Sequence, residues 1–187
     1  MKKLNVVLYH PEIPQNTGNI MRSCVGFNAK LHLIKPLGFK LDEKHLQRSA
    51  LDYFEYLDYE VYEDFDDFLS KNSGSFYFFT RYGNKTPDKV RFDEVKDNIY
   101  LFFGAESTGI AYDILKKYEN DLYRIPTTDK IRSLNLSNTV AIALYQASSK
   151  LNDSEIYALE PESLKGPTFI HDVDINTLDY KHKEWNE

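Results

Sequence analysis

Three polar segments hold the residues of this sequence that could bind a ligand or carry out chemistry. They are PQNTGNIMR at 14–22, GAESTG at 104–109 and IPTTDKIRSLNLSN at 125–138. Each comes at or just after an apolar run that predicts a β-strand. Because parallel strands bring their carboxyl ends to one edge of a sheet, we expect the three segments to meet there and form a ligand site.

The glycine loop GAESTG fits none of the common catalytic loops. Gly104 and Gly109 have the spacing of a phosphate-binding loop, but Ile110 and Ala111 stand where that loop needs Lys and then Ser or Thr. Glu106 would also repel a phosphate. The sequence contains neither a G-x-G-x-x-G dinucleotide turn after its first strand nor a G-x-S-x-G nucleophile elbow. The Asn, Thr, Ser, Arg and Glu side chains that remain suit hydrogen bonding to a polar small molecule and a hydroxylated polymer.

Strand and helix patterns alternate along the chain. The predicted strands are apolar on both faces, as buried parallel strands are, so we expect an α/β fold with a mainly parallel sheet and helices on both faces. The predicted strands are 4–9, 30–36, a brief one near 59, 75–80, 98–103 and 122–126. The predicted helices begin near Asn19, Asp42, Asp64, Ala111 and Leu134, with Ser137 or Asn138 near the cap of the last. PEIPQNTG at 11–18 is interpreted as a loop.

Charge is unevenly distributed over the 187 residues, whose net charge is −6. Residues 1–150 contain 20 bases and 20 acids, whereas 151–187 contain three bases and nine acids, which accounts for the whole excess. We therefore predict one domain over 1–151 and an acidic extension over 152–187. Any basic surface for nucleic acid must be local, and the candidate bases are Arg22, Arg48, Lys130 and Arg132.

Cysteine and histidine usage gives no sign of a metal site. The single cysteine, Cys24, falls on the apolar face of a predicted helix and is interpreted as a small core residue. The five histidines lack metal-ligand spacing, so we predict no metal. The apolar runs are too short to span a membrane. One cysteine fits a reducing compartment, and we predict a cytoplasmic protein.

The segments NTGNIMR, FFGAESTGI and RIPTTDKIRSLNLSNTVAIALYQ, in this order, resemble the three motifs of the SpoU branch of the SPOUT methyltransferases. With LYHPEIPQNTGN at the start, residues 3–150 resemble the small single-domain members that methylate the ribose 2′-hydroxyl of the wobble nucleotide, position 34, a cytidine or uridine of tRNA. The resemblance implies an α/β-knot fold with a C-terminal trefoil knot. It also implies S-adenosylmethionine as cofactor, S-adenosylhomocysteine as product, the tRNA anticodon loop as partner, and a homodimer with the site between subunits.

The resemblance also assigns site residues. Those implied to contact the cofactor are Phe79, Thr80, Gly104, Ile125 and Ser133. Those implied to take part in catalysis are Arg22, Asn16, Glu106, Ser133 and Asn135.

Several alternatives stay open at the level of the sequence. Arg22 could be a general base or could stabilise charge on the acceptor oxygen, and the second is physically easier because a guanidinium hardly deprotonates in proteins. Glu106 could hold Arg22 or the Asn16 segment, or could lie near the cofactor's cation. Asn135 and Ser133 could simply cap a helix. The alternative functions are a ribosomal RNA 2′-O-methyltransferase, a binding module without catalysis, and another α/β nucleotide enzyme.

Overall fold

The computed structural model describes residues 4–40, 51–151 and 153–174. The chain forms two compact units that divide between Asp153 and Ser154. Most of the helix predicted to begin at Asp42, and the candidate base Arg48, lie outside the described residues. The end of that prediction is a short 3-10 helix, Leu51–Tyr56.

The first unit is built on a six-stranded sheet in which every neighbouring pair is parallel. The strands are β1 (Leu4–Tyr9), β2 (Lys30–Ile34), β3 (Tyr59–Tyr62), β4 (Ser75–Phe79), β5 (Ile99–Phe103) and β6 (Leu122–Tyr123). Their order across the sheet is β3-β2-β1-β5-β4-β6. The predicted parallel sheet is thus confirmed. β6 is shorter than predicted, because the Arg124 N–H already donates to the carbonyl of Lys85 in a loop.

Helices cover both faces of the sheet, as predicted. The helices of the first unit are α1 (Pro14–Gly26), α2 (Phe65–Lys71), α3 (Tyr112–Lys117) and α4 (Leu136–Ser148). Side chains of α1 and α4 pack with Val6 and Leu8 of β1 on one face. Side chains of α2 and α3 pack with Val7 of β1 on the other face, as the alternation of a strand requires. The second unit contains α5 (Phe169–Asp172).

The start of α1 differs from the sequence prediction. The segment 11–18 was expected to be a loop because it holds two prolines, but the helix begins at Pro14. A proline is tolerated in the first turn of a helix, where its missing N–H would have no partner within the helix. The consequence is that Asn16 and Thr17 are helical and buried.

Cys24 and Asn135 lie in or next to the packed helices α1 and α4. Cys24 is fully buried in the core, which confirms its interpretation as a core residue. The cap of α4 is Asn135, one of the two residues that the sequence left open as caps, and Ser137 and Asn138 lie beside it in the first turn as predicted. Over the ranges 4–40, 51–151 and 153–174, none of the helices combines the length and the apolar character that a membrane crossing requires. Within the same ranges, His, Cys, Asp and Glu form no group of three or more that could hold a metal ion.

Candidate active site

A cleft of about 730 Å³ opens where β4, β5 and β6 end. All three polar segments contribute to its lining. Phe79 and Thr80 follow from β4, Phe103 and Gly104 from β5, and Ile125 from the segment after β6. The predicted meeting of the three segments at one edge of the sheet is therefore observed.

The GAESTG loop closes on itself at the floor of this cleft. The Gly109 N–H donates to the carbonyl of Ala105 at 2.9 Å, and the Ala105 N–H donates back to Gly109 at 3.2 Å. Gly109 has a φ of 73°, which favours glycine. A Cβ atom on Gly104 would lie 2.2 Å from the carbonyl carbon of Gly109, so the backbone can pass its own loop only if position 104 has no side chain.

Glu106 holds the start of α1 through three hydrogen bonds. Its carboxylate accepts from the backbone N–H groups of Glu12 at 2.9 Å and Ile13 at 3.4 Å, and from Asn16 Nδ2 at 2.8 Å. A carboxylate beside the first turn of a helix is also favoured by the helix dipole. Of the roles left open by the sequence, the contacts of Glu106 are those of an anchor for the Asn16 segment.

Glu12, just before α1, in turn binds the glycine loop. Its carboxylate accepts a hydrogen bond from the Ser107 N–H at 2.8 Å and another from the Ser107 hydroxyl. The two segments therefore bind each other twice. Glu106 of the glycine loop binds the start of α1, and Glu12, just before α1, binds the glycine loop. Glu12 was not among the site residues predicted from the sequence. An acidic residue two positions before a proline that opens a helix was the available signal.

Asn135 joins the third segment to the other two. Its Oδ1 atom accepts from the Ser137 N–H at 2.9 Å and the Ser137 hydroxyl at 2.7 Å, which caps α4. Its Nδ2 atom donates to Asn16 Oδ1 at 3.0 Å. The Asn135 side chain therefore both caps α4 and joins the third segment to Asn16 of the first. We call Glu12, Asn16, Glu106, Ser107 and Asn135 the cleft network.

Of the residues implied for the site by the family resemblance, Arg22 is set apart from the cleft. Phe79, Thr80, Gly104, Ile125, Ser133, Asn16, Glu106 and Asn135 all line it, whereas Arg22 does not. Arg22 follows Asn16 by six residues in α1, which places it about 9 Å further along the helix and about 120° around it. Its side chain is exposed, and its guanidinium carbon lies 5.7 Å from the centre of the Tyr53 ring.

Three arginines line the cleft, and two of them were missed by the sequence analysis. They are Arg81, Arg124 and Arg132, of which only Arg132 was a predicted base. In the part of the chain that the structure describes, the one acidic side chain of the lining is Glu106, whose carboxylate is already occupied by three donors. The cleft is therefore cationic although the chain is acidic overall.

Comparisons with known proteins match most of the chain. Residues 3–145 match the model of the SpoU rRNA Methylase family. A Listeria innocua protein that carries the provisional name tRNA (cytidine(34)-2′-O)-methyltransferase is 46% identical over 144 residues, which is 76% of this chain and 85% of that protein. A Bacillus subtilis protein with the same provisional name is 40% identical over 150 residues, 80% of this chain and 94% of that protein.

Solved structures show the same fold. A Bacillus anthracis structure with the provisional name RNA methyltransferase superimposes with a TM-score of 0.78 and 42% identity, covering 82% of this chain and 97% of that one. A structure that concerns 2′-hydroxyl methylation of C/U34 on tRNA has a TM-score of 0.72 and 36% identity, covering 79% and 95%. The methyltransferase AviRb of Streptomyces viridochromogenes, solved with S-adenosylmethionine, shares the fold at a TM-score of 0.69 and 20% identity, over 80% of this chain and 60% of that one. The chain belongs to the SpoU methylase family.

Proposed function

We propose that this protein transfers a methyl group from S-adenosylmethionine to the ribose 2′-hydroxyl of the cytidine or uridine at position 34 of tRNA. The observation that carries the proposal is the cleft network, which gathers the three motif segments around one cleft. The names of the Listeria and Bacillus relatives, and the subject of the C/U34 structure, support this substrate.

The cleft suits S-adenosylmethionine in its shape and in its chemistry. Gly104 provides a stretch of backbone without a side chain, and Phe79 and Ile125 offer apolar surface for a purine ring. Thr80 and Ser133 add hydroxyl groups at the same cleft. When bound, this cofactor supplies the methyl group as a sulfonium. We propose that Phe79, Thr80, Gly104, Ile125 and Ser133 hold it.

The acceptor hydroxyl must be aligned with the transferred methyl group, and its proton passes to solvent water as the oxygen forms its bond to the methyl carbon. We assign the alignment, and the stabilisation of charge on that oxygen, to Arg22 with Asn16, Glu106, Ser133 and Asn135. A guanidinium stays protonated, with a pKa above roughly 12. Arg22 would therefore bind the RNA backbone and stabilise negative charge on the acceptor oxygen rather than remove a proton. Asn16, Glu106 and Asn135 position α1, from which Arg22 projects.

The position of Arg22 also favours a homodimer. Because Arg22 lies outside the cleft of its own chain, an Arg22 from a second copy would complete the site. The outer face of α4 carries exposed apolar side chains, Ile142 and Tyr145, that such a copy could cover. We expect a dimer by light scattering. A fully active monomer would contradict a composite site.

We extend the proposal to the knot and to the organisation of the chain. β6 is an edge strand, yet α4, which follows it, returns to pack on α1, β1 and β5. A Cβ atom on Gly83 would lie 2.3 Å from Tyr123, so the segment after β4 runs tightly against the end of β6. Both features favour a C-terminal trefoil knot. We propose residues 1–151 as the catalytic domain, 152–187 as an acidic extension, and the cytoplasm as the location.

The Arg22→Ala variant tests the assignment of roles. We expect methylation of tRNA to fall by a factor of about 10² or more, as when an electrostatic donor to a transition state is lost. Binding of S-adenosylmethionine, followed by calorimetry, should stay within about twofold. Arg91→Ala is the matched control, because Arg91 is a surface arginine paired with Asp93 at 2.9 Å. Loss of cofactor affinity in the Arg22 variant would contradict its assignment to the acceptor.

A further inference from the structure

Two tyrosines at the mouth of the cleft are not explained by the packing of the fold. Tyr82 follows β4 and Tyr112 opens α3, and both line the cleft. Tyr82 is 50% exposed and Tyr112 is 71% exposed, and neither belongs to a core cluster. Their hydroxyl oxygens lie 3.1 Å apart, and their ring centres are 5.9 Å apart at an angle of 62°. The two side chains are held against each other at the mouth of the cleft, and stabilising the core does not account for this arrangement.

The surroundings of the pair are cationic. The guanidinium carbon of Arg81 lies 5.0 Å from the centre of the Tyr82 ring. Arg124 and Arg132 line the same cleft, and the carboxylate of Glu106 is taken up by the start of α1. An open aromatic surface beside guanidinium groups is the combination that binds unpaired nucleotides, because each base offers a π-face and each nucleotide a phosphate.

We propose that Tyr82 and Tyr112, together with Arg81, form a stacking subsite for an unpaired base of the RNA substrate. This inference rests on the proposed function, since the base belongs to a nucleotide near the methylated ribose. The residues assigned above to the cofactor lie along the strand ends and the glycine loop. The tyrosine pair stands at the mouth, where a polymer must pass if one of its riboses is to reach the cleft.

Leucine variants of the two tyrosines test this subsite. The dissociation constant for a labelled anticodon stem-loop RNA is measured by fluorescence anisotropy, and that for S-adenosylmethionine by calorimetry. The Tyr82→Leu/Tyr112→Leu double variant should bind the RNA about tenfold more weakly or worse, as expected for the loss of base stacking. Its affinity for S-adenosylmethionine should stay within about twofold. Because both side chains are largely exposed, the melting temperature should not change.

Two further variants separate stacking from other roles. Tyr112→Phe keeps the ring and removes the contact with the Tyr82 hydroxyl, so it should bind RNA like the wild type. Tyr157→Leu is the matched control, since Tyr157 is 69% exposed and belongs to the second compact unit. The subsite is refuted if the double variant binds the RNA normally, if the Phe variant is as weak as the Leu variants, or if cofactor affinity falls instead, which would make the pair a cover for the cofactor.

The readouts also distinguish this inference from the proposed function. Binding of a single-stranded oligouridine to the wild type and the double variant needs no methyl transfer. If the wild type fails to methylate tRNA, and the double variant nevertheless binds oligouridine more weakly than the wild type does, the proposed function fails and the subsite stands. If the wild type methylates tRNA, and the double variant binds the stem-loop RNA and oligouridine as tightly as the wild type does, only the subsite fails.

Discussion

Two polar networks in the first compact unit contrast in what they do for the molecule. The cleft network joins segments about a hundred residues apart, and two of its members, Ser107 and Asn135, are exposed. The other network lies inside the sheet, on the face covered by α2 and α3, and centres on His32. None of its members lines the cleft. We propose that the first network positions a site, whereas the second supports the fold.

The buried network is complete in its hydrogen bonds. The Asn5 Nδ2 atom donates to the carbonyl of Ile99 at 3.1 Å, so Asn5 Oδ1 faces His32 Nε2 as an acceptor at 3.1 Å. His32 Nδ1 then accepts from the Tyr62 hydroxyl at 2.8 Å, which fixes a neutral ring protonated on Nε2. Asn72 Nδ2 donates to the Tyr62 oxygen at 3.1 Å.

Burial explains why this histidine stays neutral. Desolvation is the main cause that lowers the pKa of His32 to about 3; the charge of Lys30 acts in the same direction, and the charge of Glu60 opposes them. The ring is 1% exposed and is enclosed by Tyr62, Phe68 and Tyr100. A histidine so enclosed has no route to a substrate. The contrast teaches that a polar side chain of this protein can face a ligand in the cleft only where its network reaches the strand ends.

The largest effect is expected from His32→Leu. The change removes two buried hydrogen bonds, so we expect the free energy of unfolding to fall by about 3 kcal/mol. In urea unfolding followed by circular dichroism, the midpoint should fall accordingly. The kcat and KM of the folded variant should equal those of the wild type at a temperature where it remains folded. A specific loss of kcat would break the contrast between the networks.

Glu106→Gln should affect both stability and activity. The amide nitrogen that replaces one carboxylate oxygen would face N–H donors from Glu12 or Asn16. We expect a loss of about 2 kcal/mol in stability, typical of hydrogen bonds to a charged group, and a methylation rate lower by about tenfold or more. The control is Glu94→Gln, because Glu94 makes only a surface ion pair with Arg91 among the contacts described. Equal behaviour of the two variants would contradict the role of Glu106.

Asn135→Ser separates the two tasks of Asn135. Serine caps helices about as well as asparagine, so stability should stay within about 0.5 kcal/mol of the wild type. Serine is too short to replace the donor to Asn16 Oδ1, so we expect methylation to fall by about tenfold, a change of about 1.4 kcal/mol. Asn135→Ala should lose about 1 kcal/mol of stability as well. Full activity in the Ser variant would mean that the contact with Asn16 does not position the site.

The smallest effect concerns pH. The folded pKa of His32 is about 3 and that of an unfolded histidine is about 6.5, so the unfolded chain binds the extra proton between these values. Stability therefore falls as the pH falls below about 6.5, by about 1.2 kcal/mol between about pH 7 and about pH 5.5. His32→Leu should lack this part of the pH dependence. Parallel stability curves for the two proteins would contradict a neutral, buried His32.

How far the sequence could predict these two regions depends on what signals each one leaves. The strands are predictable because a short apolar run such as LNVVLY is stable only where both of its faces are buried, as they are in the interior of a parallel sheet. The three polar segments are predictable because polar residues directly after such runs must lie at the strand ends. The prediction of a loop over the whole of 11–18 was wrong, because a proline near a turn-like sequence indicates a loop as readily as a first helical turn.

The missed features depend on pairing that only the folded chain reveals. Glu12 and Ser107 are separated by 95 residues, and nothing local in either segment indicates the partner. The same holds for His32 and Tyr62, which meet because β2 pairs with β3. Tyr82 and Tyr112 look like ordinary aromatic residues until the fold brings their hydroxyls together.

The most direct test of the account uses the purified protein, S-adenosylmethionine with a deuterated methyl group, and total tRNA from cells that lack the gene. The tRNA is then digested to oligonucleotides and analysed by mass spectrometry. The account predicts a deuterated methyl group on the ribose of a cytidine or uridine at position 34, and its loss with Arg22→Ala. No label in tRNA, or a label on a base or at another position, would contradict the account.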